Sequence, residues 1–472
     1  MARDDNPSVA HNTAHSKILD GRFLKQESAN ADTSISSGAL SFTDKLNALS
    51  SPVEEVGKIV RAYGTTVFVS GLNASVGQRC VISSRDTKTN IYADVVGIDN
   101  NQVILYLFGS LEGISNRSEV RIVQHGKKIP FSESLAGCIL DGAGKIIYQP
   151  HELQGVINVS IDRDAPNPLT RKPVAEFFQT GVKIIDSLLS VGRGQRMGIF
   201  AAAGVGKSTL LSMLAKHSSA DVIVIGLIGE RGREVKEFIE QNLGPDGLAK
   251  SVLVVSTSDR PALERVSAAK TATTIAEGYR ARGKNVLLLI DSVTRYARAL
   301  REIGLSIGEP PSRRGYPPSV FAELPKLLER AGNNDTGTIT AFYTVLEEDE
   351  ETSDPVSEEV KSILDGHIEL SRALAEKGQY PPVDPLTSAS RIFHSLVSPQ
   401  QIDAASQFRQ QLAKFQEIEL LIAMGEYQEG SDQIADRAIR NRPLIDAFLK
   451  QSPNDHFALE DSLNVLQQAS QE

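Results

Sequence analysis

Residues 196–216 read RMGIFAAAGVGKSTLLSMLAK, and no other stretch constrains the fold as tightly. A short apolar strand, Met197 to Phe200, runs into small residues and then Gly204-Val205-Gly206-Lys207-Ser208-Thr209. A helix carrying Leu210, Leu211 and Leu214 follows. Strand, compact loop and helix in this order turn backbone N–H groups and the positive end of the helix dipole toward one point, which suits phosphate oxygens. From such a loop Lys207 reaches the β- and γ-phosphates, and the Ser208 hydroxyl is placed to ligate Mg²⁺. Ala201, Ala202, Ala203, Gly204, Val205, Gly206, Lys207, Ser208 and Thr209 are therefore the expected phosphate cradle. Ala201 stands where the usual pattern opens with Gly, a small departure because Ala is nearly as compact. A glycine-rich turn with an incidental lysine is the bland alternative; the strand before and the helix after favour a nucleoside triphosphate site.

The chain has 472 residues, too many for one core, and suggests two or three domains. Its two cysteines, Cys80 and Cys138, give neither a disulfide framework nor metal-ligand spacing. MARDDNPSVAHNTAHSK has no apolar core of a secretory signal, and no run approaches the roughly 18 apolar residues that span a bilayer. A net charge of −9 argues against a nucleic-acid protein overall. The expected location is the cytoplasm.

Composition divides the chain into four parts. Residues 1–50, rich in Ser, Asn, Asp and Ala, read as a mobile arm. Residues 51–150 hold short alternating runs such as TTVFVSGL, GQRCVISS, IYADVVGID and NQVILYLFG, separated by turn residues, and predict a small antiparallel β-barrel. Residues 151–395 alternate apolar strands with helical segments, as a mostly parallel α/β sheet requires. Residues 396–472 turn helical.

Two carboxylates end apolar strands within the α/β part. NVLLLI ends at Asp291; alone, such an Asp reads as a helix N-cap, but after a phosphate loop in the same domain the expected role is to hold Mg²⁺ and its waters. VIVIGLIG ends at Glu230, which can orient or deprotonate an attacking water. Spacing alone leaves Glu230 equally suited to cap the next helix or to pair with Arg231 or Arg233. Farther on, PPVDPLTSASR ends in Arg391, either a group acting on a transferring phosphoryl across a subunit boundary or a surface arginine paired with a carboxylate. The acidic run Glu347 to Glu351 reads as a solvated loop.

GVGKST, IGERGREVKEFIE, TSDRPALERV, TTIAEGYRARGKNVLLLIDSVTRYARALREI, GYPPSVFAELPKLLERAG, TAFYTVLEEDEE, ILDGHIELSRALA and YPPVDPLTSASR follow one another in order. Together they resemble the ATPases of type III protein export, flagellar and injectisome, relatives of the catalytic subunits of rotary ATP synthases. The resemblance runs from about residue 54 to the end and implies a RecA-like α/β core between an N-terminal barrel and a C-terminal helical domain. It makes Lys207 and Ser208 phosphate and Mg²⁺ groups, Glu230 the catalytic carboxylate, and Asp291 part of the metal site. Arg231 and Arg295 would lie near the γ-phosphate, Tyr380 would pack on the adenine, and Arg391 would act from the neighbouring subunit. ATP and Mg²⁺ are the implied cofactors and a homohexamer the implied assembly. The implied partners are a stator-like regulator, a central stalk protein, export chaperones and their secreted substrates, with peripheral contact at the cytoplasmic face of the inner membrane and no nucleic acid. One departure is visible: Glu347 to Pro355 reads EEDEETSDP where the family usually has a Gly-Asp-Asp type stretch with Asn-Glu-Pro.

Two other readings compete. A non-catalytic ring subunit would lack the carboxylate that Glu230 supplies. An RNA-translocating hexamer would need a basic, aromatic N-terminal domain, whereas residues 51–150 carry ten Lys/Arg against nine Asp/Glu. SASRIFHSLVS and ELLIAMGEYQEGSDQIADRAI look somewhat closer to the injectisome branch.

Overall fold

A computed structural model describes residues 55–84, 90–123, 126–347 and 354–470. The arm expected over residues 1–50 and most of the acidic run, residues 348–351, lie outside the described residues.

Strands β1 (Gly57–Tyr63), β2 (Thr66–Ser70), β3 (Arg79–Ser83), β4 (Asn90–Asp99), β5 (Gln102–Leu107) and β6 (Glu119–Ile122) close into a barrel. Its order is β1-β2-β5-β4-β3-β6, sealed by antiparallel pairing of β1 with β6. Period-two alternation sends Val67, Val69, Ile82, Ala93, Val95, Leu105 and Leu107 inward. The β4–β5 hairpin turns on Asn100 and Asn101, whose φ of 44° and 63° are the left-handed values a two-residue turn needs.

The central sheet contains β7 (Ile139–Asp141), β8 (Ile146–Tyr148), β9 (Arg196–Ala201), β10 (Val222–Glu230), β11 (Ser251–Thr257) and β12 (Asn285–Asp291). It continues with β13 (Thr338–Leu346), β14 (Gly366–Leu370) and β15 (Ala389–Ser390). They lie in the order β15-β14-β9-β13-β12-β10-β11-β7-β8, with the short strand Gly332–Asn333 added on β13. The seven inner strands run parallel, and β8 and β15 close the edges antiparallel. Residues 139–148, read with the barrel from sequence, thus belong to this sheet. ILD is as short and apolar as a barrel strand, and such a run does not encode which sheet it joins.

Both faces of the sheet are covered, so its strands are apolar throughout. Along β12, Val286, Leu288 and Ile290 face α2 (Ala262–Arg280), α3 (Val293–Ser306), α4 (Pro318–Leu328) and α5 (Pro355–Ile363). Leu287 and Leu289 face the opposite core, built with α1 (Lys207–His217), α6 (Pro399–Met424), α7 (Gln433–Leu449) and α8 (Leu459–Ser470). The C-terminal helices join that core through Phe408 and Phe448, whose rings lie 4.9 Å apart, and through Leu466. On the other face, buried Tyr106 of the barrel donates to Glu302 of α3 at 3.0 Å, tying barrel to sheet.

Candidate active site

The C-terminal ends of parallel strands are where a sheet of this type presents its ligand groups. β9 delivers the phosphate loop there, β10 delivers Glu230 and β12 delivers Asp291. Gly204 and Gly206 take φ of 81° and 106°, and Gly206 caps α1. Val205 turns into the core while Ala203, Gly204 and Ser208 remain exposed. Behind the loop, the N–H of Glu347 donates to the Ala201 carbonyl at 3.0 Å, fastening β9 to the end of β13.

Lys207, at the first turn of α1, is the centre of the cluster. Its Nζ lies 2.5 Å from Asp291 Oδ1 and 3.6 Å from Glu230 Oε1. Arg295 Nε approaches the same Glu230 oxygen at 3.5 Å. Among the described residues, neither that oxygen nor Arg295 Nε has a hydrogen-bond partner, although both atoms are buried. Glu230 is only 7 % exposed. Its burial and then the charge of Asp291 push its carboxyl up to about 7, against the lowering pull of Lys207 and Arg295. A carboxylate titrating there is suited to take a proton near neutral pH.

Two backbone and side-chain devices aim these groups, and sequence reading missed both. The ladder between β10 and β11 skips a residue between Ile228 and Glu230. Gly229 occupies that bulge at φ 70°, and a Cβ there would come within 2.8 Å of Arg295 Cδ. Only glycine lets the arginine lie across this backbone; the single Gly before Glu230 was the available signal. Second, Thr344 on β13 donates from Oγ1 to Asp291 Oδ1 at 2.7 Å, in full burial. Nothing in the run TAFYTVL marks this hydroxyl as special.

The remaining expected residues are spread around this centre. Tyr380 is half-exposed beside the loop: a Cβ on Gly206 would lie 4.0 Å from its ring and 3.7 Å from Pro382. Arg231 is exposed and pairs with Glu234 at 3.3 Å. Arg391 is exposed and donates to the Lys361 carbonyl at 3.0 Å. Among the described residues no ion pair joins Arg391 to Glu230 or Asp291 of its own chain.

An ion at this place would rest on few protein groups. Among the described residues, no cluster of three or more His, Cys, Asp or Glu could hold a metal. One hydroxyl, Ser208, and one carboxylate, Asp291, beside a phosphate cradle fit Mg²⁺, which takes one or two protein ligands and completes its shell with phosphates and water.

With this geometry in place, three domain families match. The ATP synthase alpha/beta family matches with its nucleotide-binding domain over residues 181–390 and its beta-barrel domain over residues 59–123. The T3SS EscN ATPase C-terminal domain matches residues 397–468. The type 3 secretion system ATPase of Xanthomonas euvesicatoria is 50 % identical over 416 residues, covering 87 % of this chain and 93 % of that one. The chain belongs to the type III export ATPases. Flagellar members stand nearly as near: the flagellum-specific ATP synthase of Bacillus subtilis (strain 168) is 46 % identical over 411 residues, covering 87 % of this chain and 94 % of its own. The assembled ATPase EscN of enteropathogenic E. coli, solved in complex with its central stalk EscO, superposes with a TM-score of 0.81. It is 45 % identical and covers 88 % of this chain and 100 % of that one. Membership in the export ATPases sets aside both the RNA translocase and the non-catalytic ring subunit. Among the described residues, no helix is long and apolar enough to cross a membrane.

Proposed function

We propose that this export ATPase works as a homohexameric ring whose ATP sites are completed by the neighbouring subunit. The observation that carries the reading is the division just described. Lys207, Glu230 and Asp291 converge inside one chain, while Arg391 stands exposed and apart from them. A relative with this fold has been solved as an assembly.

In the proposed cycle the phosphate loop and Lys207 bind the triphosphate of ATP, the ammonium exchanging Asp291 for phosphate oxygens. Ser208 and Asp291 are the residues that would hold Mg²⁺, which would supply charge neutralisation for the phosphates. Tyr380 packs on the adenine. Glu230 takes the proton from the attacking water, and its orphaned Oε1 is the acceptor left available for that role. Arg295 holds Glu230, and Arg231 approaches the γ-phosphate after leaving Glu234. Arg391 of one subunit places five fixed donors on the γ-phosphate bound by the next.

Hydrolysis would drive release of chaperones and unfolding of secreted proteins. A central stalk would join the ring, as assembled EscN is found in complex with its central stalk EscO, and a stator-like regulator would hold the ring at the cytoplasmic face of the inner membrane. The test mixes Lys207→Ala protein with Arg391→Ala protein, each inactive alone. Mixed rings contain interfaces with both groups intact, so partial ATPase activity should return. No recovery, with subunit mixing confirmed, would confine Arg391 to its own chain.

A further inference from the structure

Gln451 is buried just beyond the end of α7, and its bonds run in two directions. Its backbone N–H donates to the Tyr380 carbonyl at 2.8 Å. Its side chain bonds the core: Oε1 accepts from the Lys183 N–H at 2.8 Å, and Nε2 donates to the Gly181 carbonyl at 2.8 Å. The same Nε2 donates to the Asp455 carbonyl at 2.9 Å.

The loop that holds the Gln451 amide is itself fixed. Buried Asp186 accepts from Thr180 N, Thr180 Oγ1 and Gly181 N at 2.7–2.9 Å. Gly181 also abuts the far end of the phosphate-loop helix, since a Cβ on it would meet His217 Cβ at 2.4 Å. Lys183 Nζ donates to the Ala447 and Lys450 carbonyls, both at 3.0 Å, and so binds the last turn of α7 to the same loop. Gln451 is therefore referenced to the C-terminal end of α1 through its side chain. Through Tyr380, which stands against Gly206, its backbone reaches the N-terminal end of the same helix.

We infer that Gln451 is a positioning residue for nucleotide binding: its side-chain amide sets the place of Tyr380 over the phosphate loop, so the C-terminal helical region contributes to affinity for the base. The inference rests on the reading of Tyr380 as the adenine-packing residue. Gln401 provides a matched control. It is equally buried at the junction with the C-terminal helices, and its Nε2 donates to the Ser187 carbonyl and Ser190 Oγ at 3.0 Å and the Asp186 carbonyl at 3.4 Å. Among the described residues, its side chain bonds neither Tyr380 nor Gly181 and Lys183, which hold Gln451.

The experiment uses the full chain and reads two quantities: the Kd of ADP carrying a fluorescent ribose label, and KM and kcat for ATP. Gln451→Leu should raise Kd and KM by about tenfold, the scale of losing one or two buried hydrogen bonds, with kcat at saturation within about twofold. Gln451→Asn, which keeps the amide and shortens its reach, should fall between. It also serves if the leucine variant does not fold. Gln401→Leu should lower thermal stability comparably and leave both constants unchanged. In a Tyr380→Ala background, Gln451→Leu should add nothing to Kd. Equal shifts from the Gln401 and Gln451 variants, or additive effects of Gln451 and Tyr380, would overturn the inference. A Tyr380→Ala protein with unaltered Kd would instead overturn the adenine reading on which it stands.

Discussion

The nucleotide site we propose has two walls of opposite character. On the inner wall Lys207, Glu230, Asp291 and Thr344 are largely buried, come from four different elements and bond one another. On the proposed outer wall, exposed Ser208 and Arg231 and half-exposed Tyr380 of one chain would face exposed Arg391 of the next, and the two arginines bond a neighbouring glutamate and a backbone carbonyl instead of the cluster. Burial is what shifts Glu230 toward neutrality, so the inner wall obtains its chemistry from its own fold. The outer wall has no such shielding, and its groups gain strength only where another surface covers them.

The largest expected effect tests the inner wall. Glu230→Gln keeps shape and removes the proton acceptor, so turnover should fall by about 10²–10⁴ while ATP still binds. Lys207→Ala should lose binding as well, because it strips the charge that both phosphate and the two carboxylates need. An equilibrium binding assay beside a steady-state ATPase assay separates the two. Glu230→Gln retaining most of its turnover would make Glu230 a structural cap.

Arg391→Ala should lower turnover by about 10³, the low end of what such arginines contribute, and leave the melting temperature unchanged because the side chain is exposed. Lysine offers a point charge and should not restore the rate. A melting shift without a rate change would move Arg391 from the outer wall to the scaffold.

Thr344→Val should lower turnover about tenfold, as for one buried hydrogen bond to a charged group, with more Mg²⁺ required for half-maximal nucleotide binding. Thr344→Ser should restore both. A valine enzyme with unaltered Mg²⁺ dependence would show that Asp291 is held without it.

Behind the inner wall, burial raises Asp186 to about 7 despite three hydrogen bonds to it. A carboxyl raised on folding binds its proton more tightly in the native state. Its contribution is then full below its unfolded value near 4 and is lost as pH rises through 7. The melting temperature should decline over that window, and Asp186→Asn should flatten the slope. Parallel slopes for both proteins would assign the pH dependence elsewhere. The smallest effect belongs to Arg231→Ala: its exposed pair with Glu234 is worth below about 0.5 kcal/mol, so folding should be untouched and any rate loss would come from the phosphate.

Legibility in the sequence follows the same division. The phosphate loop, Glu230 and Asp291 could be read because each sits where an apolar strand ends, a local pattern. The barrel was readable from alternation in runs such as TTVFVSGL. Thr344 was not, because its bond to Asp291 spans 53 residues and depends on β13 lying beside β12. The Gly229 bulge was hidden for the same reason: a glycine in a strand has meaning only against Arg295. Tyr380 was named through resemblance alone, and Arg391, although its segment stood out, took its expected role from resemblance, since an exposed side chain leaves no periodicity.

The chain cannot be divided into modules at residue 150. Since β7 pairs with β11 and β8 with β7, a barrel fragment running that far would carry away the last two strands of the sheet. The remainder would then present the unpaired backbone of Val252, Leu253, Val254 and Val255, a long apolar rim of the kind that recruits other chains into aggregates. A clean separation runs closer to Ile122, where β6 seals the barrel, and leaves β7 with the sheet it completes.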